Sequence, residues 1–368
     1  MASPLDVCIR GAGIAGRSLA LLLARERLRV GLVAGDAPVP GAVDVRAYAL
    51  NNRARELLQS LRAWPGEEEA TPVTCMQVHG DDGGEVTFSA REEHTDALTW
   101  IADVGALERN LDEALRFQPL VERLDQPRDA ALTVVCEGKA STTRAEYGVQ
   151  FQSALYPQRA IAARLTCEKR HEQVARQWFQ DGDILALLPM GGPQGNLVAL
   201  VWSVQEPRAD GLMGLPAAEF EEKLAEACGH ALGKMTLASD RAAWPLMLAR
   251  ADRWCGPGWA LCGDAAHVVH PLAGQGLNLG LGDVQELVQV LHGREYWRSV
   301  GDVKLLRRYE RARKAEVAAM AFATDGIQQL FAQPAPAASW LRNWGMRGFE
   351  ALGPVKHWAA KQAMSGLR

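Results

Sequence analysis

The sequence predicts an α/β chain: a Rossmann-like domain, an inserted β-sheet domain and a C-terminal helical segment. Three observations carry that prediction. A short apolar strand, Leu5 to Arg10, runs straight into Gly11-Ala12-Gly13-Ile14-Ala15-Gly16 and a helical stretch from Arg17 to Arg27. Between a strand and a helix, these glycines serve a turn (Gly11), close approach to a pyrophosphate (Gly13) and packing of helix on strand (Gly16). A second strand-loop-helix unit spans Gly258 to Leu291, with Gly263, Asp264, Gly274 and Gly276 in its loop. Finally, 368 residues exceed what one core usually holds, so two packed domains are expected.

Composition narrows the function classes. Hydrophobic residues make up 48% and charged residues 23%, an ordinary globular mix. A net charge of −4 gives no electrostatic reason to expect nucleic acid. Seven cysteines are scattered without a CxxC pair or a histidine cluster, so no disulfide framework or metal site is expected, and a reducing cytoplasm is. Asp6 and Arg10 interrupt the N-terminal apolar run, which argues against a signal peptide. No uncharged apolar run approaches the length of about eighteen residues that a spanning helix needs. Paired carboxylates and Ser-His-Asp order are also lacking, so hydrolytic chemistry has no support.

The elements follow in order. Leu28 to Val33 reads as the second strand. The acid that grips a ribose, about twenty residues past the first glycine, is replaced by Ala34. Asp36 reaches the ribose only if the loop bends back. Asp44 to Leu50 leads into a helix from Asn52 to Leu61. Alternation from Val73 to Ser89 around Asp81-Asp82-Gly83-Gly84 predicts a β-hairpin. Leu98 to Asp103 reads as a strand before a helix from Ala106 to Phe117, and Leu132 to Val135 as a strand before Glu137-Gly138-Lys139.

Further on, 158–166, 182–190 and 196–204 read as strands and Ala217 to Leu232 as an amphipathic helix. From Asp302 to Ala323 a charged helix is expected, with Leu305, Leu306, Tyr309 and Ala312 inward and Arg307, Arg308, Arg311 and Arg313 on a solvated face. The last thirty residues set Trp340, Trp344 and Trp358 among Arg342, Arg347, Lys356 and Lys361. Such a mix suits a membrane interface, a partner surface or packing on the body.

The run from Gly263 to Asp283 resembles the second flavin motif, GDAAH…P…GQG.N.G..D, of the FAD-dependent aromatic hydroxylases of the p-hydroxybenzoate hydroxylase type. Its unbroken HPLAGQGLNLGLGD is most similar to the Ubi-type hydroxylases of ubiquinone biosynthesis. The resemblance covers most of the chain and is strongest at 9–16, 171–202 and 263–283. It implies that Asp264, after Gly263, holds the ribityl chain of FAD. Amides around Gly274, Gln275 and Gly276 would face the pyrimidine end of the flavin, with Asn278 in the same loop. His270, Pro271 and Leu272 would lie under the ring and help exclude water. Arg46 falls in a D.R..AL segment near the phosphates, and Glu108 where relatives place a polar residue near FAD. Glu137, with Ser141 and Arg144, matches a segment ADGxxSxxR that serves both FAD and the nicotinamide donor, but with Glu for Asp.

By the same resemblance, 1–70, 98–150 and 250–330 form a discontinuous FAD-binding domain, 71–97 and 151–249 a substrate domain, and 331–368 a helical tail. Leu187, Pro189 and Trp202 become candidate pocket lining. The implied activity is ring hydroxylation of a phenol, a polyprenylated ubiquinone precursor, with NADPH or NADH, O2 and a flavin C4a-hydroperoxide. Other ubiquinone-biosynthesis proteins and a peripheral membrane contact through 340–368 are the implied partners, in the cytoplasm. Two alternatives stay open: a non-catalytic accessory homologue, suggested by Ala34, Glu137 and the altered Val104-Gly105 segment, and a hydroxylase of a soluble aromatic compound.

Overall fold

The computed structural model describes residues 4–34, 44–80, 83–180, 182–269 and 275–332, with side chains up to 320 in the last segment. Val7, Ile9, Val30, Leu132 and Val134 are all fully buried. Apolar on both faces, they form strands that only a covered parallel sheet can hold. That sheet has six strands in the order Cys255–Gly256, Trp259–Leu261, Ala130–Val135, Leu5–Arg10, Val30–Val33, Val121–Leu124. All neighbours are parallel except the first two, which form a hairpin.

Helix Ile14–Arg25 packs on both Val104–Arg116 and Gln275–His292, and Val303–Ala332 packs on the latter. The first helix begins three residues before Arg17 because Gly13, in extended conformation, already serves as its N-cap. It ends at Arg25, and Arg27 then turns the chain in the left-handed region at φ 61°. The helix of the second strand-loop-helix unit begins at Gln275, inside the glycine-rich stretch.

A second sheet of nine strands is antiparallel apart from one pair. At its centre the long strand Phe151–Cys167 pairs with Ala242–Ala251 on one side and Leu197–Gln205 on the other. Asp183–Met190 and Val174–Gln180 follow, and the hairpin Cys75–His79/Glu85–Ser89 completes that edge. Strand Ala242–Ala251 and helix Glu206–Gly214 are not legible in the sequence: Pro245 and Arg250 interrupt the alternation of the one, and Pro207 and Gly211 mask the other. A small third sheet, Ala47–Leu50, Thr99–Asp103 and Ala70–Val73, lies against the second.

Two expectations are corrected here. Leu187 and Trp202 do not line a pocket on the cofactor side. They pack with Phe220 and Leu224 toward helices Glu206–Gly214 and Ala217–Ala227, and alternation puts Pro189 on their side. The opposite face brings Met190 and Ala199 against Ala49, Val73 and Ile101. Period-two spacing tells which residues share a face but not which way that face points. Likewise Arg313 is not on a solvated face but 1% exposed, whereas Ala312 is exposed. The inward stripe runs Leu305, Tyr309, Arg313, Val317, at a spacing of four.

Candidate cofactor-binding site

Three loops leave the carboxyl ends of three adjacent strands: Gly11 after Arg10, Glu137 after Val135, and Gly263 after Leu261. Arg10 and Leu261 both stand in register with Val135, so the loops open side by side. In open α/β sheets the ligand lies outside such ends.

The first loop has the shape of a phosphate cradle. Gly11 lies at φ 106°, and a Cβ there would sit 2.4 Å from the Cys136 carbonyl oxygen. At Gly16 it would come within 2.0 Å of the Gly11 carbonyl oxygen. A Cβ on Gly13 would meet nothing within 4 Å. The cradle is thus closed against protein on one side and open on the other. Its open side faces the start of a 12-residue helix that no side chain caps, a favourable seat for a pyrophosphate.

Glu137 organises the second loop. Its carboxylate accepts from Ser141 Oγ (2.7 Å), Thr143 Oγ1 (2.6 Å) and the Thr143 amide (3.3 Å), and pairs with Arg10 Nε at 3.1 Å. Burial alone would raise its pKa, but those hydrogen bonds and Arg10 outweigh it and hold the carboxyl below its usual range. Ser141 caps the short helix Thr142–Glu146. Arg144, 7% exposed, lies over the Phe151 ring at 3.5 Å and donates to the carbonyls of Lys139 and Ala265, both at 3.0 Å.

In the third loop Gly263 adopts φ 65° and a single 3-10 turn covers Gly263–Ala265. Asp264 is open to solvent on one side, with protein crowding it from the other directions. That crowding pushes its carboxyl above the usual range, against the pull of His267, Lys139 and Arg46. The loop then enters strand His267–Val268, which pairs with Ala249 and Arg250 of the second sheet.

Arg46 is held by Asp44, with Nη2 to Oδ2 at 2.6 Å, and this bond raises its pKa further. Arg46 Nη1 also lies 3.4 Å from the hydroxyl of Tyr48, and the charges of Asp264, Asp44 and Glu108 bear on that hydroxyl. Burial, the largest cause, pushes the Tyr48 hydroxyl up. Glu108 also lies 3.6 Å from Arg17 in the first turns of helix Ile14–Arg25. Asn278 fastens the start of helix Gln275–His292 to the third sheet: its Nδ2 donates to the Ala49 carbonyl (2.8 Å) and its Oδ1 accepts from the Asn51 amide (3.1 Å). Gln275 and Gly276 open that helix, and a Cβ on Gly276 would meet nothing within 4 Å. Asp36, His270, Pro271, Leu272 and Gly274 lie outside the described residues.

Sequence reasoning gave no role to Tyr48, to Lys139, whose charge bears on Asp264, or to Asp283. Asp283 is fully buried and bonded to the Gly263 amide, His267 and Arg313. Only the closing acid of the flavin motif hinted at it.

The parallel sheet, the open glycine cradle and the acid three residues past the end of a neighbouring strand define a dinucleotide-binding flavoprotein, and the groups present fit FAD. The chain belongs to the FAD binding domain family, whose profile matches residues 120–324. FAD is its cofactor. Over 99% of its length it is 29% identical to the ubiquinone hydroxylase UbiL of Rhodospirillum rubrum, of which 90% is covered. With the 3-demethoxyubiquinol 3-hydroxylase of Escherichia coli it shares 28% identity, covering 98% of both. The p-nitrophenol 4-monooxygenase PnpA of Pseudomonas putida has the same fold, with a TM-score of 0.78 at 18% identity and 100% of both chains covered.

Proposed function

We propose that the protein is an FAD-dependent monooxygenase that hydroxylates the aromatic ring of a polyprenylated ubiquinone precursor, using NADPH or NADH and O2. The observation that carries this reading is the meeting of three loops at adjacent strand ends in a chain similar, nearly end to end, to two ubiquinone-pathway hydroxylases. Bound FAD supplies the redox and oxygen chemistry. The chain's own residues seat and orient it. Gly11, Gly13 and Gly16 receive the pyrophosphate, with Arg46 nearby; Asp264 holds the ribityl chain; the amides at Gln275 and Gly276 offer positive dipole ends to the ring edge. Glu137 and Arg144 keep the middle loop in place.

The sheet compositions support the domain assignment given above, with 71–97 and 151–249 as the substrate domain. Among the described residues no helix is long and apolar enough to cross a membrane. The segment 340–368, which lies outside the described residues, is the one we assign to contact with the membrane surface and with other proteins of the pathway, on its mix of tryptophans and basic residues.

The test begins with the visible spectrum of the purified protein and its bleaching near about 450 nm by NADPH or NADH without air. Admission of O2 with a prenylated phenol then yields a product one oxygen heavier. A colourless protein that cannot be reconstituted with FAD overturns the enzyme and leaves an accessory homologue. Turnover of soluble phenols alone overturns the lipid-tailed substrate.

A further inference from the structure

We propose that Asp283 and Arg313 are positioning residues for the cofactor loop: a buried ion pair that clamps both ends of the turn from Gly263 to His267 and so fixes Asp264. The inference rests on Asp264 being the FAD contact. Asp283 is 0% and Arg313 1% exposed. One carboxylate oxygen, Oδ2, accepts from the Gly263 amide at 2.9 Å and from His267 Nε2 at 2.7 Å. The other, Oδ1, accepts from Arg313 Nε at 2.7 Å. Arg313 Nη2 donates in turn to the Leu279 carbonyl at 3.0 Å, and Nη1 pairs with Glu316. A single side chain on helix Gln275–His292 therefore holds the residue before Asp264 and the residue three after it.

The surroundings are shaped to this pair. A Cβ on Gly282 would come within 2.9 Å of the Arg313 guanidinium, so glycine leaves the room that the arginine fills. Trp254 stacks on His267 with ring centroids 4.9 Å apart. One turn before Arg313, the Tyr309 hydroxyl donates to the Leu261 carbonyl at 2.8 Å, so the last helix also grips the strand that feeds the loop.

Stability alone does not account for the arrangement. Desolvating two charges costs about what their attraction returns, and apolar residues of similar size would pack as well. What an apolar pair cannot do is accept two N–H bonds from a loop. Holding a cofactor contact in one geometry requires such supporting bonds.

The test titrates apoprotein with FAD, by flavin fluorescence, in the wild type, Asp264→Ala, Arg313→Lys and the double variant Asp283→Leu/Arg313→Met. The melting temperature of each apoprotein and the visible spectrum of each bound flavin are recorded alongside. Removing both charges leaves no fully buried charge unpaired, only the part-exposed Glu316 without its cation and two loop N–H groups without an acceptor, so the double variant is expected to fold and to melt moderately below wild type. Its FAD dissociation constant is expected to rise about tenfold or more, with an altered flavin spectrum. Arg313→Lys keeps a cation facing Asp283 and is expected to stay within about threefold of wild type. A double variant that binds FAD like wild type, beside a weakened Asp264→Ala, overturns this proposal alone. Unweakened binding by Asp264→Ala overturns the role of Asp264 and this proposal with it. If the double variant does not fold, His267→Phe, which keeps the ion pair and the stack on Trp254 but loses one loop bond, decides: a raised constant supports the clamp and an unchanged one overturns it.

Discussion

Arg144 Nη1 donates to the carbonyl of Ala265 at 3.0 Å, so the segment that follows one strand fastens the loop that follows its neighbour. The same guanidinium lies over Phe151 and bonds Lys139, whose ammonium acts on Asp264. Arg144→Met is therefore expected to cost about 2 to 3 kcal/mol of stability, as breaking a buried hydrogen-bond network does. It should also weaken FAD binding by about tenfold. Urea unfolding of the apoprotein and an FAD titration measure the two; a loss of stability with unchanged affinity would separate Arg144 from the cofactor seat.

The cradle predicts opposite behaviour for two glycines three residues apart. Gly16→Ala drives a methyl into the Gly11 carbonyl, so the apoprotein should melt lower. At Gly13, φ is −72° and the added methyl meets open space. Gly13→Ala should leave the apoprotein as stable or more stable by about 0.4 to 1 kcal/mol, yet raise the FAD dissociation constant. Equal FAD affinity in Gly13→Ala and wild type would mean that the pyrophosphate lies elsewhere.

Acid should release the middle loop. The unfolded Glu137 takes up its proton near the ordinary value of 4.5, whereas the folded carboxyl, favoured by Thr143, Ser141 and Arg10, holds out to lower pH. Its contribution is thus complete above that ordinary value and is lost as pH falls through the folded one. Glu137→Gln should lower the urea midpoint at neutral pH and flatten its fall between about pH 5 and 3. Parallel curves for the two proteins would assign the acid limb to other carboxylates.

Trp202 is 1% exposed and packs on Phe220 at a centroid distance of 6.3 Å, on the face turned away from the third sheet. Trp202→Ala should cost about 3 to 5 kcal/mol, the usual penalty for emptying an aromatic site in a core. FAD affinity and the apparent affinity for a ring substrate should stay as they were in the folded fraction. A selective change in substrate affinity would return Trp202 to the pocket.

Much of this was legible from residues alone, for physical reasons. Gly11, Gly13 and Gly16 between a strand and a helix have few other uses, and the hairpin at 75–89 shows plain alternation. The misses share a cause. Leu187 and Trp202 obey the strand period, but the direction of their face depends on helices that lie beyond them in the sequence. Arg313 looked solvated because charge usually is; its burial depends on Asp283, thirty residues upstream, supplying the countercharge. Strand Ala242–Ala251 carries Pro245 and Arg250, and its extended form comes from pairing along Phe151–Cys167 rather than from its own pattern.

The loop between Leu261 and His267 starts in the parallel sheet and ends paired to the antiparallel one, with Asp264 midway. Five intervening residues, three of them with amides bonded to Asp283 or neighbouring carbonyls, leave little slack to absorb a shift of one layer past the other. With Asp264 as the proposed FAD contact, the two sheets are geared through that contact. A ring settling on the broad sheet would tug the flavin seat directly, and the redox state of the flavin would be felt in return by the platform that carries the substrate.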